Sequence, residues 1–172
     1  MAVSEFLAQI ESPRLLNVAR HWAAARGSKR LPGWNDLDPL AMAPELPIVW
    51  SWKYDRGPDS FTGRLAGEDI NNIFGKNLRG AVMKEFFEPR WYDLIFARHK
   101  RVVTEPALAH GSGPVFLHAG RHAHGERIIL PLAEDGTTGD GLIGATIYPS
   151  AAGAGAALEM EAAETVLFFA VD

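Results

Sequence analysis

The run "RHAHGE" (residues 121–126) sets His122, His124 and Glu126 two positions apart, so a strand would turn all three to one face. Two imidazoles and a carboxylate so arranged are the donor set of a facial triad for a non-haem metal. A solvated strand face or a hairpin tip is the plainer reading of the same residues, and Gly125 interrupts the run. His110 and His118 could supplement such a site, but no spacing fixes their geometry.

A second candidate is "FTGRLAGEDINNIFGKNLRG" (residues 61–80), where four glycines and a Gly-Lys-Asn suggest a phosphate cradle. A P-loop needs glycine five residues ahead of its Gly-Lys pair and a hydroxyl residue after the lysine. Ile70 and Asn77 stand at those positions. Gly63, Gly67 and Gly75 do not give the dinucleotide-binding spacing either. The glycines therefore read as corners of the chain, and Lys76 has no phosphate to hold.

A third candidate lies after Glu88-Pro89. On a helix turning about 100° per residue, Trp91, Ile95 and His99 fall on one apolar arc, and Arg98 projects with them. A lone histidine on such a face is ordinarily a hydrogen-bonded core residue. A guanidinium is rarely buried without a partner, so Arg98 either reaches outward, pairs with a carboxylate or meets an anionic ligand. Trp50 and Trp52 share one strand face, which suits a core or interface before a stacking platform. No Gly-x-Ser-x-Gly elbow occurs, and the carboxylates are scattered among loops and helix starts. No acid–base pair emerges, and the expectation is a protein that is not an enzyme.

These residues need elements to hold them. Ser12-Pro13 opens a helix that runs to Gly27, with proline where a missing N–H is harmless. That helix either lies on its own domain or serves a dimer, and residues 1–10 form a separate turn or two ahead of it. Asp38-Pro39 opens one short helical turn that Pro44 closes. "IVWSWKY" alternates, with Ile48, Trp50, Trp52 and Tyr54 on one face. "RGPD" turns the chain into a hairpin partner, "SFTGRLAG". Ile70, Ile73 and Phe74 then mark a short helix led by Glu68-Asp69 and ended by Gly75. "AVMKEFF" forms another turn, a longer helix spans residues 90–103, and strands and turns follow. "AAGAGAA" reads as a linker and "TVLFFAVD" as a terminal strand or docking segment.

The chain of 172 residues reads as α+β, with a net charge of −4 that offers no electrostatic footprint for nucleic acid. It has no cysteine, which excludes disulfides, thiolate metal sites and a cysteine nucleophile. The N-terminus lacks the basic and apolar regions of a signal peptide, and no apolar stretch approaches a membrane span. A cytoplasmic protein is expected.

The order of elements resembles a PAS domain, a five-stranded antiparallel sheet interrupted after its second strand by a helical block. More specifically, it resembles the short bacterial PAS-like family of near single-domain proteins. The residues that carry this are "LPGWNDLDPLAMAPELPIVW" (31–50), "FTGRLAGEDINNIFGKNLRG" and "ERIILPLAEDG" (126–136), with Arg64, Gly67, Gly75, Leu78, Gly80, Pro131 and Leu132 at the family's positions. Trp34 stands where a basic residue is frequent and Glu68 where a hydroxyl residue is frequent. The resemblance covers residues 22–148 and implies an N-terminal helical extension (1–30), a PAS-like domain (31–149) and an Ala/Gly linker with a C-terminal segment (150–172).

It also implies a sensory or regulatory module that binds a small molecule or a protein partner, homodimer included. The expected lining is Arg64, Ile70, Ile73, Phe74, Trp91, Ile95, Arg98 and His99, with no cofactor or an unknown small molecule. Two alternatives stand beside it: a metal-dependent enzyme or metal-binding protein using His122, His124 and Glu126, and a haem or flavin sensor. The haem version rests on His99, since a histidine on the equivalent helix binds haem in some PAS sensors.

Overall fold

A computed structural model describes residues 2–117, 121–148, 159–160 and 165–172, without the side chains of residues 114–117, 121–124 and 159–160. Two helices, α1 (Ala2–Leu7) and α2 (Pro13–Arg26), precede the sheet. Ser12 caps α2 by accepting from the Leu15 N–H, Pro13 takes the first turn, and Gly27 ends the helix at a φ of 55°. The sheet begins with the hairpin β1 (Val49–Asp55) and β2 (Ser60–Ala66). Three helices follow: α3 (Glu68–Phe74), α4 (Met83–Phe86) and α5 (Pro89–Thr104). The chain then returns through β3 (Ala107–Leu117), β4 (Arg121–Leu132) and β5 (Gly141–Ile147).

The strands lie in the order β2-β1-β5-β4-β3, all neighbours antiparallel. The sheet is larger than the five strands expected. Among the described residues it has two more, β6 (Glu159–Met160) and β7 (Thr165–Ala170), which both pair with the outer side of β3. "TVLFFAVD" is thus a strand of the sheet itself. The Ala/Gly tract ahead of it lies outside the described residues.

Side-chain alternation gives the sheet two apolar faces. Val49, Leu108, Ile128, Leu130, Ile143 and Ala145 pack against Phe6, Leu15, Val18, Ala19 and Trp22 of α1 and α2. Trp50, Trp52, Tyr54, Ile129 and Leu142 pack against Ile70, Met83, Phe86, Ile95, Val102 and Val103 of α3–α5. The Trp22 indole N–H donates to the Pro131 carbonyl at 2.8 Å, tying α2 to β4. The N-terminal helix therefore lies on its own domain.

Two local expectations change. Pro44 sits at the start of a 3-10 helix over Ala43–Ile48, where its missing N–H is tolerated, so it opens this turn instead of closing the one before. Ile48 belongs to that turn and packs with the α1–α2 core, not with Trp50, because the strand begins one residue later. Gly67 explains how the turn fits: a Cβ there would lie 2.0 Å from the Leu46 carbonyl oxygen, so only glycine lets the 3-10 turn press on the β2–α3 junction.

Candidate functional site

Between α5 and the sheet lies a cavity lined by Trp50, Trp52, Ile70, Phe74, Leu78, Phe87, Ile95, His99, Arg127, Thr146 and Tyr148. Its volume is about 30 Å³, and a smaller void of about 10 Å³ adjoins it around Arg98, Gly111 and Val166. Ile95, His99 and Arg127 border both. A space of that size holds one or two waters. Phe74, Phe87 and Tyr148 are only half-buried and form its outer wall, whereas Trp50, Trp52 and Ile95 are buried.

His99 is the polar centre. The residue is 3% exposed, and its ring lies 5.3 Å from that of Trp50 and 6.0 Å from that of Phe61. Its Nδ1 is 2.8 Å from the Ile95 carbonyl oxygen. A carbonyl can only accept, so the proton sits on Nδ1 and the neutral ring keeps its lone pair on Nε2. Burial pushes its pKa down to about 3, with Arg127 and Arg98 adding to the depression and the Ile95 hydrogen bond opposing it. The Trp50 indole N–H donates to Thr146 Oγ1 at 2.9 Å, which leaves the Thr146 hydroxyl proton to another acceptor.

The structure brings some of the expected residues together and not others. Ile70, Phe74, Ile95 and His99 line the main cavity, and Arg98 lines the smaller void. Ile73 is buried and Trp91 half-buried outside both, the Trp91 Nε1 lacking a partner among the described residues. Arg64 sits on the other side of the sheet. Ser51 pairs with Leu65 and Trp52 with Gly63, so Arg64 is the extra residue of a bulge. Its guanidinium lies 4.6 Å from the Trp34 ring centre, and burial lowers its pKa while Asp140 and Glu134 act the other way. Strand periodicity read through residues 60–67 could not show that reversal.

Arg127 and Thr146 were missed. Both occupy strands that read as generic hydrophobic runs, and their place at the cavity follows from register: Arg127 pairs with Thr146 directly. The alternation of β4 carried a signal, because Arg127 falls on the same face as Ile129, opposite Ile128 and Leu130.

The histidine cluster fares differently. Glu126 accepts hydrogen bonds from the Glu11 and Ser12 N–H groups, each at 2.8 Å, and contacts His110 Nε2 at 2.8 Å. Its carboxylate holds the start of α2 on the sheet, and a metal would have to displace those partners. The side chains of His122 and His124 lie outside the described residues. Among the described residues no group of three His, Asp or Glu side chains is placed to hold a metal ion. Lys76 donates to the Phe86 carbonyl and lies over the Phe86 ring, so its charge is engaged within the chain. Among the described residues no helix is long and apolar enough to cross a membrane.

The PAS domain from Bordetella pertussis BvgS superposes with a TM-score of 0.50 at 18% identity, covering 62% of this chain and 79% of that one. A structure of VqmA bound to DPO superposes with a TM-score of 0.49 at 12% identity, covering 66% of this chain and 57% of that one. No curated protein matches the chain. A family model described as PAS domain matches residues 10–147, from just ahead of α2 to the end of β5. With that match across most of its length, the strand order β2-β1-β5-β4-β3 and the helical block between β2 and β3, this chain belongs to the PAS domain family.

Proposed function

We propose that this PAS domain, a sensory and regulatory fold, takes a small molecule into the space between α5 and the sheet and passes its occupancy to a protein partner or a second copy. The module has no catalytic step of its own in this reading, and its setting is the cytoplasm, in keeping with a chain free of cysteine. The observation that carries the reading is the mixed lining. A space closed only for stability would be apolar throughout, yet His99, Arg127 and Thr146 meet there among aromatic rings. Convergent polar groups in an apolar pocket are the usual mark of a ligand site.

His99 Nε2 is the kind of atom that ligates haem iron, but a cavity of about 30 Å³ admits neither haem nor flavin as it stands. The test is native mass spectrometry of the purified protein, followed by thermal unfolding against fractions of a small-molecule extract. A bound small molecule, or a fraction that raises the melting temperature, supports the reading. A bare protein that no fraction stabilises overturns it. An absorption spectrum of the same sample with a haem or flavin band would replace it with the cofactor-sensor reading.

A further inference from the structure

We propose that the outer edge of β7 pairs with β7 of a second copy of this chain, antiparallel and with Phe168 on the two-fold axis. The pairing is independent of the cavity, and β7 (Thr165–Ala170) begins beyond residue 147, where the match to the PAS family ends. Three observations carry it.

First, the two ends of the sheet are finished differently. The outer side of β2 is bonded: the Gly63 N–H donates to the Ala81 carbonyl and the Gly80 N–H to the Gly63 carbonyl, each at 2.8 Å, and Thr62 bridges to Val82. At the other end β7 pairs with β3 alone, and β6 pairs with Val115 and Phe116 further along β3 instead of covering β7. The Val171 N–H donates to the Pro106 carbonyl at 2.8 Å, which sets the phase of the ladder. Alternation then turns the peptide groups of Leu167 and Phe169 towards β3 and those of Val166, Phe168 and Ala170 outward. Among the described residues no backbone group bonds to the outward set, and Ala170 is exposed.

Second, the strand lacks the devices that keep an edge from pairing. "TVLFFA" holds no charge, no proline and no glycine, the residues with which natural edges block a second chain. It is also held in place. Arg30 donates from Nε and Nη2 to the Val171 carbonyl, which Pro106 has no N–H to serve. The Phe169 ring lies 5.7 Å from that of Phe6, and the Arg101 guanidinium 4.1 Å from the Phe168 ring centre. A strand already ordered loses little freedom on pairing.

Third, a second copy supplies what one copy leaves open. Phe168 on the axis sets Val166 opposite Ala170 and Phe168 opposite itself, so each outward N–H meets an outward carbonyl. The same register sets Leu167 opposite Phe169 of the second copy in a non-hydrogen-bonded pair, where side chains come closest. Leu167 is 41% exposed, and that neighbour would cover it. Arg101 beside Phe168 is paired with Glu105 at 3.5 Å, so the copies meet there without bringing like charges together unpaired. The contact is self-complementary, as a two-fold interface must be.

One strand edge buries less than the roughly 1,200 Å² of a standard interface, so the expected dissociation constant is on the order of 10–100 μM. Sedimentation velocity of the full chain from about 1 μM to about 1 mM should show monomer passing into dimer. Ala170→Pro removes an outward N–H and leaves the β3 side of the ladder intact, and Leu167→Lys sets a charge on the edge. Each should weaken the dimer at least about ten-fold with unchanged far-UV circular dichroism. The chain has no cysteine, so a single introduced thiol reports a single contact. Phe168→Cys meets its own copy across the axis within disulfide reach and should give a covalent dimer under mild oxidation. Leu40→Cys, at a more exposed position, should stay monomeric.

A wild type that remains monomeric to about 1 mM overturns the pairing, even where a strand of another protein is found on the same edge. So does a dimer that both edge variants keep, which would place the contact on another surface such as α1 and α2. Equal cross-linking of the two cysteine variants overturns it as well, and that comparison stands even where an edge variant fails to fold.

Discussion

Two glycines from one motif show how differently a single residue type can be used. Gly75 ends α3 at a φ of 65° with nothing near its would-be Cβ. Gly67 has an ordinary φ of −71°, but backbone atoms of Leu46 and Pro47 stand within 2.4 Å of where a Cβ would be. Gly75→Ala should therefore cost about 1–2 kcal/mol, the strain of a left-handed alanine. Gly67→Ala should cost about 3 kcal/mol or more, because carbonyls cannot move aside as side chains do. Urea unfolding of both variants checks the order, and equal costs would show that the 3-10 turn is free to shift. Sequence revealed both glycines as corners, and Gly75 also as a helix end. The close approach at Gly67 was out of reach, since it depends on a segment twenty residues earlier in the chain.

His99 gives the second prediction at this scale. Above about pH 6.5 its ring is neutral in both folded and unfolded chains and contributes no pH dependence. Below that, the unfolded chain takes up a proton that the native ring refuses down to about pH 3. Stability therefore falls with pH, by at most about 2 kcal/mol from this residue between pH 7 and 5. His99→Gln should show a correspondingly shallower loss in denaturant unfolding at the two pH values. The apolar arc of α5 already placed His99 inward. Its neutral state was not legible, because it depends first on how completely the sheet buries the ring, with Arg127 and Arg98 adding to the depression.

At the scale of elements, Glu126 carries more than the facial-triad spacing suggested. Its carboxylate reaches across from β4 to the N–H groups of Glu11 and Ser12, where a helix start favours negative charge. The helix brings its own cap in Ser12, so two devices hold the same end. Charge-assisted hydrogen bonds of this kind contribute about 1.5–3 kcal/mol each. Glu126→Ala should thus destabilise the protein by about 3 kcal/mol and leave His110 without its partner. Hydrogen exchange should quicken first in α1 and α2, before β1 and β5. Uniform exchange through the sheet would mean that the helices do not open separately. The strand and helix periods, the Ser12-Pro13 start and the Gly27 stop were all readable in the sequence, because each is set by local chemistry. The pairing of Glu126 with a helix more than a hundred residues earlier was not, and although residues 165–170 read as a terminal strand or docking segment, their pairing with β3 was not legible either.

Across the whole molecule one sheet serves two cores. Alternate residues of β1, β4 and β5 feed the α1–α2 core and the α3–α5 core, so neither face can lose its cover without exposing a strand the other needs. Trp22 is the sharpest probe of that dependence. It is 1% exposed, lies far from the cavity, and is bonded through its indole to Pro131, in the strand that carries Arg127 to the other face. Trp22→Ala should cost about 3–5 kcal/mol. If the sheet couples the two cores, the cost appears in a single transition, with far-UV circular dichroism and the fluorescence of the remaining tryptophans moving together in urea. A biphasic curve, with the Trp50–Trp52 face melting after the helices, would show that the α1–α2 layer folds onto an already stable sheet. The arrangement of the cores favours the single transition. Under the proposed ligand-binding reading, the route from the cavity to α2 would run along β4, where Arg127 at the void and Glu126 at the helix start are neighbours.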